Sequence, residues 1–364
     1  MNIGQRELDP RLKELFDKGV NVYSISKLNT IDNCSYEAFL TYKEHLKGDN
    51  NIYGVLGTKI HDTLEEIING KNTTDVLPGV LKSELEDLEM LDLNFPKDRQ
   101  GGDSIRDSWV ADMSHFCSNF IPPKGKFETE QFVLYKVNDD RYVQGFIDLI
   151  RKNADGTISI YDWKTSSQFS NADLQHHGRQ LVFYALAKQQ EGFQVKEVAW
   201  IMLKYCEITF LGKARKTSKE KTTLTKIVNR GKIVKELKSY IEQDLTDLGY
   251  DEVDIEIMLD TALKNNEIPQ EVKDKYTIKP YVRKYDLTQE NIDETLEYIN
   301  KIADKFESEE EWKPREFTRL TKTGKESSDI FYCTTLCNYR KKCKHIKDYL
   351  DKQDKAKTED SDLF

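Results

Sequence analysis

The feature that most constrains the fold of this chain is the texture of residues 131–164. It reads QFVLYKV, then the turn residues NDD, then RYVQGFIDLI, then NADG, then TISIYDWK. Three runs rich in β-branched and aromatic residues, joined by short turns, predict an antiparallel meander. Side chains alternate across a strand, so Ile158, Ile160, Asp162 and Lys164 share one face, which passes from apolar to charged at its end. The preceding run holds a single acid, Asp148, among apolar residues. A carboxylate there is costly to bury unless it is paired or binds a cation.

Helical spacing appears on both sides of this meander. In GTKIHDTLEEIING, from Gly57 to Gly70, the residues Ile60, Leu64, Ile67 and Ile68 make one apolar face and a glycine closes the segment. The stretch SNADLQHHGRQLVFYALAKQQEG offers Ser170 or Asn171 as a cap and ends at Gly192; the apolar run VKEVAWIML that follows reads as a buried strand. Such an order predicts an α/β fold, a mixed β-sheet flanked by helices. We expect residues 1–211 to hold an N-terminal segment and the core, and 212–288 to be a basic, mainly helical insertion. Residues 289–350 should return with a helix over about Gln289–Phe306 and a cysteine cluster that completes the same domain, leaving 351–364 as a disordered tail.

With 38% hydrophobic and 33% charged residues the chain has the balance of a globular protein. No run approaches the roughly 20 apolar residues a bilayer requires, and MNIGQRELDPRLKELF lacks the apolar stretch of a secretory signal, so a cytoplasmic protein is expected. The net charge of -9 works against a phosphate partner. Its distribution is uneven: ten basic residues lie between Lys213 and Lys238 against Glu220 and Glu236. That stretch is either a solvated helix face or a surface tracking a nucleic-acid backbone, with Trp200 or Tyr205 available for base stacking. A phosphate loop of the form G-x-x-x-x-G-K-[ST] is missing, so no motor activity is expected of this chain.

Phosphodiester hydrolysis asks for hard oxygen ligands to Mg²⁺ or Mn²⁺, an activated water, and positive charge near the transition state. Asp148 and Asp162 would hold the metal, the Trp163 carbonyl would add a ligand, and Lys164 would orient the water and balance charge. D-x-K by itself is a weak pattern that a surface salt bridge also produces. Order strengthens it. G-x-x-x-H (Gly57, His61), G-F-I-D (Gly145, Asp148), D-W-K-T (Asp162, Lys164) and Q-x-x-x-Y (Gln180, Tyr184) follow one another on helix, strand, strand and helix.

That succession resembles the RecB-like branch of the PD-(D/E)XK nucleases, which includes the nuclease domains of RecB and AddB and the CRISPR-adaptation nucleases. The resemblance implies a restriction-endonuclease-like core. It also implies His61 as an additional metal ligand, with Gln180 and Tyr184 lining the active site and placing the DNA strand. Read alone, His61 is a helix-surface histidine, and Gln180 and Tyr184, one turn apart, are core and rim residues. Glu130 or Glu128 stands as a further acid. The implied activity is a Mg²⁺- or Mn²⁺-dependent exonuclease on single-stranded or end-exposed DNA, working alone or beside a separate helicase or recombination protein. A structure-specific endonuclease and a non-catalytic DNA-binding scaffold are the alternatives; the presence of every catalytic residue type argues against the scaffold.

Of six cysteines, Cys333, Cys337 and Cys343 cluster in YCTTLCNYRKKCKH, a grouping that suggests metal before disulfide in an intracellular chain. Cys34 is the candidate fourth ligand. Its context, SISKLNTIDNCSYEAFLTY, resembles the N-terminal segment of AddB-like and CRISPR-adaptation nucleases, in which one distant cysteine joins three C-terminal ones around a 4Fe-4S cluster. The resemblance implies an iron-sulfur clip between the two ends. The C-x3-C gap in place of C-x2-C and Ser35 in place of a proline depart from that pattern, and four thiolates also suit zinc. Cys117 and Cys206, amid apolar or aromatic neighbours, read as buried thiols.

Overall fold

The computed structural model describes residues 9–213, 221–308, 310–321 and 323–361, with side chains described as far as Lys355. Helix α1 (Pro10–Asp17) starts where the Asp9 carboxylate accepts from the Arg11 N–H at 2.9 Å, with proline in its first turn. Strand β1 (Asn21–Tyr23) leads to α2 (Ile25–Asn33) and α3 (Ser35–Tyr42), which meet at Cys34. Helix α4 (Ile52–Ile68) begins earlier than its glycine suggested. Asn51 caps it by accepting from the Gly54 N–H at 2.9 Å, and Ile52 and Leu56 lengthen the buried stripe. Helices α5 (Val76–Met90) and α6 (Ser104–Ser118) complete that layer.

The expected meander follows as β2 (Lys126–Asn138), β3 (Arg141–Lys152) and β4 (Ile158–Lys164), antiparallel throughout, with Phe132 opposite Phe146 and Ile150 opposite Ile160. Helix α7 (Leu174–Gln190) begins just after Ser170, whose Oγ accepts from the Asp173 N–H, and stops before Gly192 at φ 91°. Strand β5 (Val195–Leu211) then runs parallel to β4.

Segment 212–288 carries more strand than its sequence suggested. It contributes β6 (Thr223–Asn229), α8 (Ile233–Asp247), α9 (Glu252–Asn265) and β7 (Thr277–Tyr285), and both strands pair antiparallel with β5. Basic residues within TLTKIVN and TIKPYVRKY obscure the period-two pattern, because long cationic side chains sit on an exposed strand face as readily as on a helix. Helix α10 (Gln289–Ser308), a hairpin of β8 (Thr318–Leu320) and β9 (Glu326–Ser328), and α11 (Lys344–Ser361) close the chain. The tail expected to be disordered continues α11 as far as Ser361; residues 362–364 lie outside the described residues.

The main sheet has the order β1-β3-β4-β5-β6, with β2 also on β3 and β7 also on β5. Its two faces bury different side chains. Ile158 and Ile160 of β4 pack with α2, α7 and α10, whereas Tyr161 and Trp163 pack with α4, α5 and α6. A third apolar cluster joins Cys206, Ile208 and Phe210 of β5 to α8 and α9. The result is a curled mixed sheet flanked by helices, as expected. No described helix is long and apolar enough to cross a membrane.

Candidate active site

The adjacent antiparallel strands β3 and β4 carry Asp148 and Asp162, 9% and 2% exposed. Asp148 Oδ2 accepts from the Trp163 N–H at 2.8 Å, so the backbone of one strand holds the acid of the other. Lys164 Nζ lies 2.6 Å from Asp162 Oδ2 and donates to Gln180 Oε1 at 3.1 Å; Gln180 Nε2 in turn donates to the Tyr184 hydroxyl at 2.9 Å. Gln180 and Tyr184 reach this line because α7 crosses the sheet closely. A Cβ on Gly145 would meet Phe183 Cε1 at 2.8 Å, so the glycine of G-F-I-D is what admits the helix.

From the other side, α4 brings His61 Nδ1 to 3.6 Å from Asp148 Oδ2, its ring edge-on to Trp163 at 5.8 Å. A Cβ on Gly57 would lie 3.4 Å from Thr165 Oγ1, so α4 passes beside the end of β4. Burial pulls the His61 imidazole down to about 4, outweighing the attraction of Asp162, and leaves it neutral with a lone pair to offer.

Burial, then the neighbouring Asp162, raises the Asp148 carboxyl well above the usual range, against the pull of Lys164 and the Trp163 N–H. Burial also works against the Lys164 charge, but Asp162 and Asp148 together hold its ammonium above the ordinary lysine value. Two acids in one buried place therefore lean on a single lysine. Asp162 Oδ2 meets the Lys164 ammonium and no other donor among the described residues. An oxygen so placed fits the need of a hard cation.

Glu130 and Glu128 are placed differently on β2. Glu128 pairs with Lys152. Glu130 falls in the β2–β3 ladder between the pairs Thr129–Leu149 and Gln131–Ile147, opposite Asp148, at φ 48°. A left-handed glutamate inside a strand is strained, and such strain gathers at functional sites. Its charge is felt by both Asp148 and Tyr184.

Other expectations are corrected. Trp200 and Tyr205 are buried, Trp200 fully, between Phe169 at 5.0 Å and Tyr285 at 5.6 Å, so neither presents a face to a base. In the basic stretch, residues 214–220 lie outside the described residues. Of the rest, Lys221 pairs with Asp247 and Arg230 is buried. Cys117 and Cys206, by contrast, are the buried thiols expected of them, pushed up by burial to about 12 and about 11.

Cys34, Cys333, Cys337 and Cys343 line one small cavity of about 20 Å³. The two ends are sewn together around it: the Tyr36 N–H donates to the Lys313 carbonyl at 2.9 Å, Tyr332 Oη to Glu37 at 2.7 Å, and Asn51 Nδ2 to the Leu336 carbonyl at 3.0 Å. The sulfurs suit a thiophilic metal by chemistry and by convergence. As placed, however, no group of three or more His, Cys, Asp or Glu side chains among the described residues is set to hold a metal ion.

Acids on neighbouring strands, a lysine two residues on and a glutamine–tyrosine pair on the next helix together make the candidate active site. The chain belongs to the PD-(D/E)XK nuclease superfamily, whose sequence profile matches residues 22–344. No curated protein matches. A solved structure titled "Crystal structure of SSO0001" is similar at 16% identity over 71% of this chain and 87% of that one, with a TM-score of 0.19.

Proposed function

We propose that this chain is a RecB-like, Mg²⁺- or Mn²⁺-dependent deoxyribonuclease that hydrolyses phosphodiester bonds at DNA ends, with single-stranded DNA preferred. The observation that carries the reading is the continuous line Asp162, Lys164, Gln180, Tyr184 beside Asp148 and His61. Asp148, Asp162, His61 and the Trp163 carbonyl are the groups that would hold the cation. When bound, the cation supplies Lewis acidity toward the phosphate and a more acidic water. Lys164 presents its charge where the phosphate gains negative charge, and Gln180, held by Tyr184, fixes the lysine's aim. Glu130 faces Asp148 as a further acid.

We take the four cysteines to be a metal clip between the ends, iron-sulfur first and zinc second, supported by their convergence on one cavity. The separate apolar cluster that α8 and α9 form on the end of β5 supports treating 212–288 as an insertion in the nuclease domain. Linear and covalently closed single-stranded DNA, incubated in parallel with Mn²⁺, test the reading. Mononucleotide or short products from linear DNA only are expected. Cleavage of the circle would establish an endonuclease instead. If Asp162→Ala cuts as well as the unaltered protein, the site is misassigned.

A further inference from the structure

On the α6 side of the sheet lies a second concavity of about 1090 Å³, lined by none of Asp148, Asp162, Lys164 or His61. Such a volume exceeds what a nucleotide-sized ligand requires. Arg230 lines it and is 7% exposed, yet its Nε has no partner and no carboxylate stands within ion-pair distance among the described residues. Asp112, the nearby acid, accepts from the Gly231 N–H and the Asn229 amide, both at 2.8 Å, and its charge reaches Arg230 from outside ion-pair distance. A buried guanidinium without a contact ion pair is costly, and an anion against it relieves that cost.

The surroundings add to the case. Arg230 and Gly231 form the turn that leads into α8, a helix of 15 residues whose cap residue Lys232 supplies no side-chain cap; the Asn266 side chain accepts from the Val234 N–H at 3.2 Å instead. Lys273 and Lys279 line the same cavity. Of its acids, Glu197 is committed to Tyr161 and Lys284, and Glu267 remains. Phe116, whose ring lies 5.5 Å from the Arg230 guanidinium, joins Phe127 and Trp163 in an aromatic wall.

We propose that this cavity binds a nucleotide, its phosphate at Arg230 and its base against the aromatic wall. A free 5′-mononucleotide and the terminal nucleotide of a strand share that chemistry. Trp163 connects the cavity to the candidate active site, since its ring lines the one and its N–H holds Asp148 in the other. The binding claim does not depend on the nuclease reading.

The full-length protein, kept in EDTA so that nothing is cleaved, is titrated by calorimetry with dAMP, deoxyadenosine and a 5′-phosphorylated tetranucleotide. We expect dAMP or the tetranucleotide to bind, Arg230→Gln to weaken binding about tenfold or more, deoxyadenosine to lose a similar factor, and Lys18→Met, which removes an exposed charge outside both sites, to change nothing. Binding of dAMP alone assigns a free nucleotide; equal or tighter binding of the tetranucleotide assigns a strand end. No binding of either, undiminished binding in Arg230→Gln, or an equal loss in Lys18→Met overturns the proposal. If Arg230→Gln does not fold, Lys273→Met and Lys279→Met replace it, and unchanged affinity in both is the overturning result.

Discussion

Replacing Lys164 with methionine tests the electrostatic economy of the site directly. The substitution keeps the aliphatic stem and removes a charge that lies 2.6 Å from Asp162 and is about a quarter exposed, while Asp162 itself is almost wholly buried. Removing one partner of a buried pair costs about 3–5 kcal/mol, because the other charge is left without compensation. The partial exposure of the lysine and the freedom of one carboxyl to take up a proton place this case near the lower end, about 3 kcal/mol. At roughly 2 cal/mol/K of unfolding entropy per residue, that is a fall in Tm of about 4 °C for this chain. Differential scanning calorimetry in EDTA reads it. Asp162→Asn in the same molecule should restore a large part of the loss, since an amide needs no counter-charge. Cleavage should drop about 100- to 1000-fold in Lys164→Met, as on removal of one donor to a developing oxyanion, and should not recover in the double variant. An unchanged Tm together with undiminished cleavage would refute the account; so would a double variant less stable than the sum of its parts.

Three further outcomes are expected. His115 is held down to about 4, by burial first and then by Arg230, so the unfolded chain binds its proton at a higher pH than the folded one. The stability it contributes is therefore complete above about pH 6.5 and drains away as pH falls toward 4; urea unfolding across that window should show a shallower slope in His115→Gln, and an unaltered slope excludes the assignment. A Cβ at Gly178 would come within 2.2 Å of Tyr285 Cζ, so Gly178→Ala must push α7 off β7 and should cost about 1–3 kcal/mol by denaturant unfolding, whereas Gly79→Ala, with open space around it, should be neutral or stabilising. Cys34→Ser should abolish bound iron or zinc, measured by metal analysis and by absorbance near roughly 400 nm for an iron-sulfur centre, while Cys117→Ser retains it; full metal content in Cys34→Ser would disprove the clip.

What was legible in the sequence was whatever local periodicity or order could express. The shared face of Asp162 and Lys164 follows from strand alternation alone, and the closeness of Gln180 and Tyr184 from one helical turn. Glu130 could not be separated from Glu128 in that way, because what distinguishes it is a backbone at φ 48° opposite Asp148, and no residue type announces that. Trp200 was misjudged for a related reason. An aromatic in an apolar run looks the same whether it lines a groove or fills a core, and Trp200 fills a core only because Tyr285, far along the chain, returns on β7 to cover it. The same return explains why α7 needs glycine at position 178: the ring that buries Trp200 occupies the space a side chain there would take. Segment 212–288 thus does more than interrupt the domain, since its last strand supplies the tyrosine against which the helix bearing Gln180 and Tyr184 is seated. Changes at Tyr285 should accordingly reach the candidate active site through the position of α7, without any contact with the acids themselves.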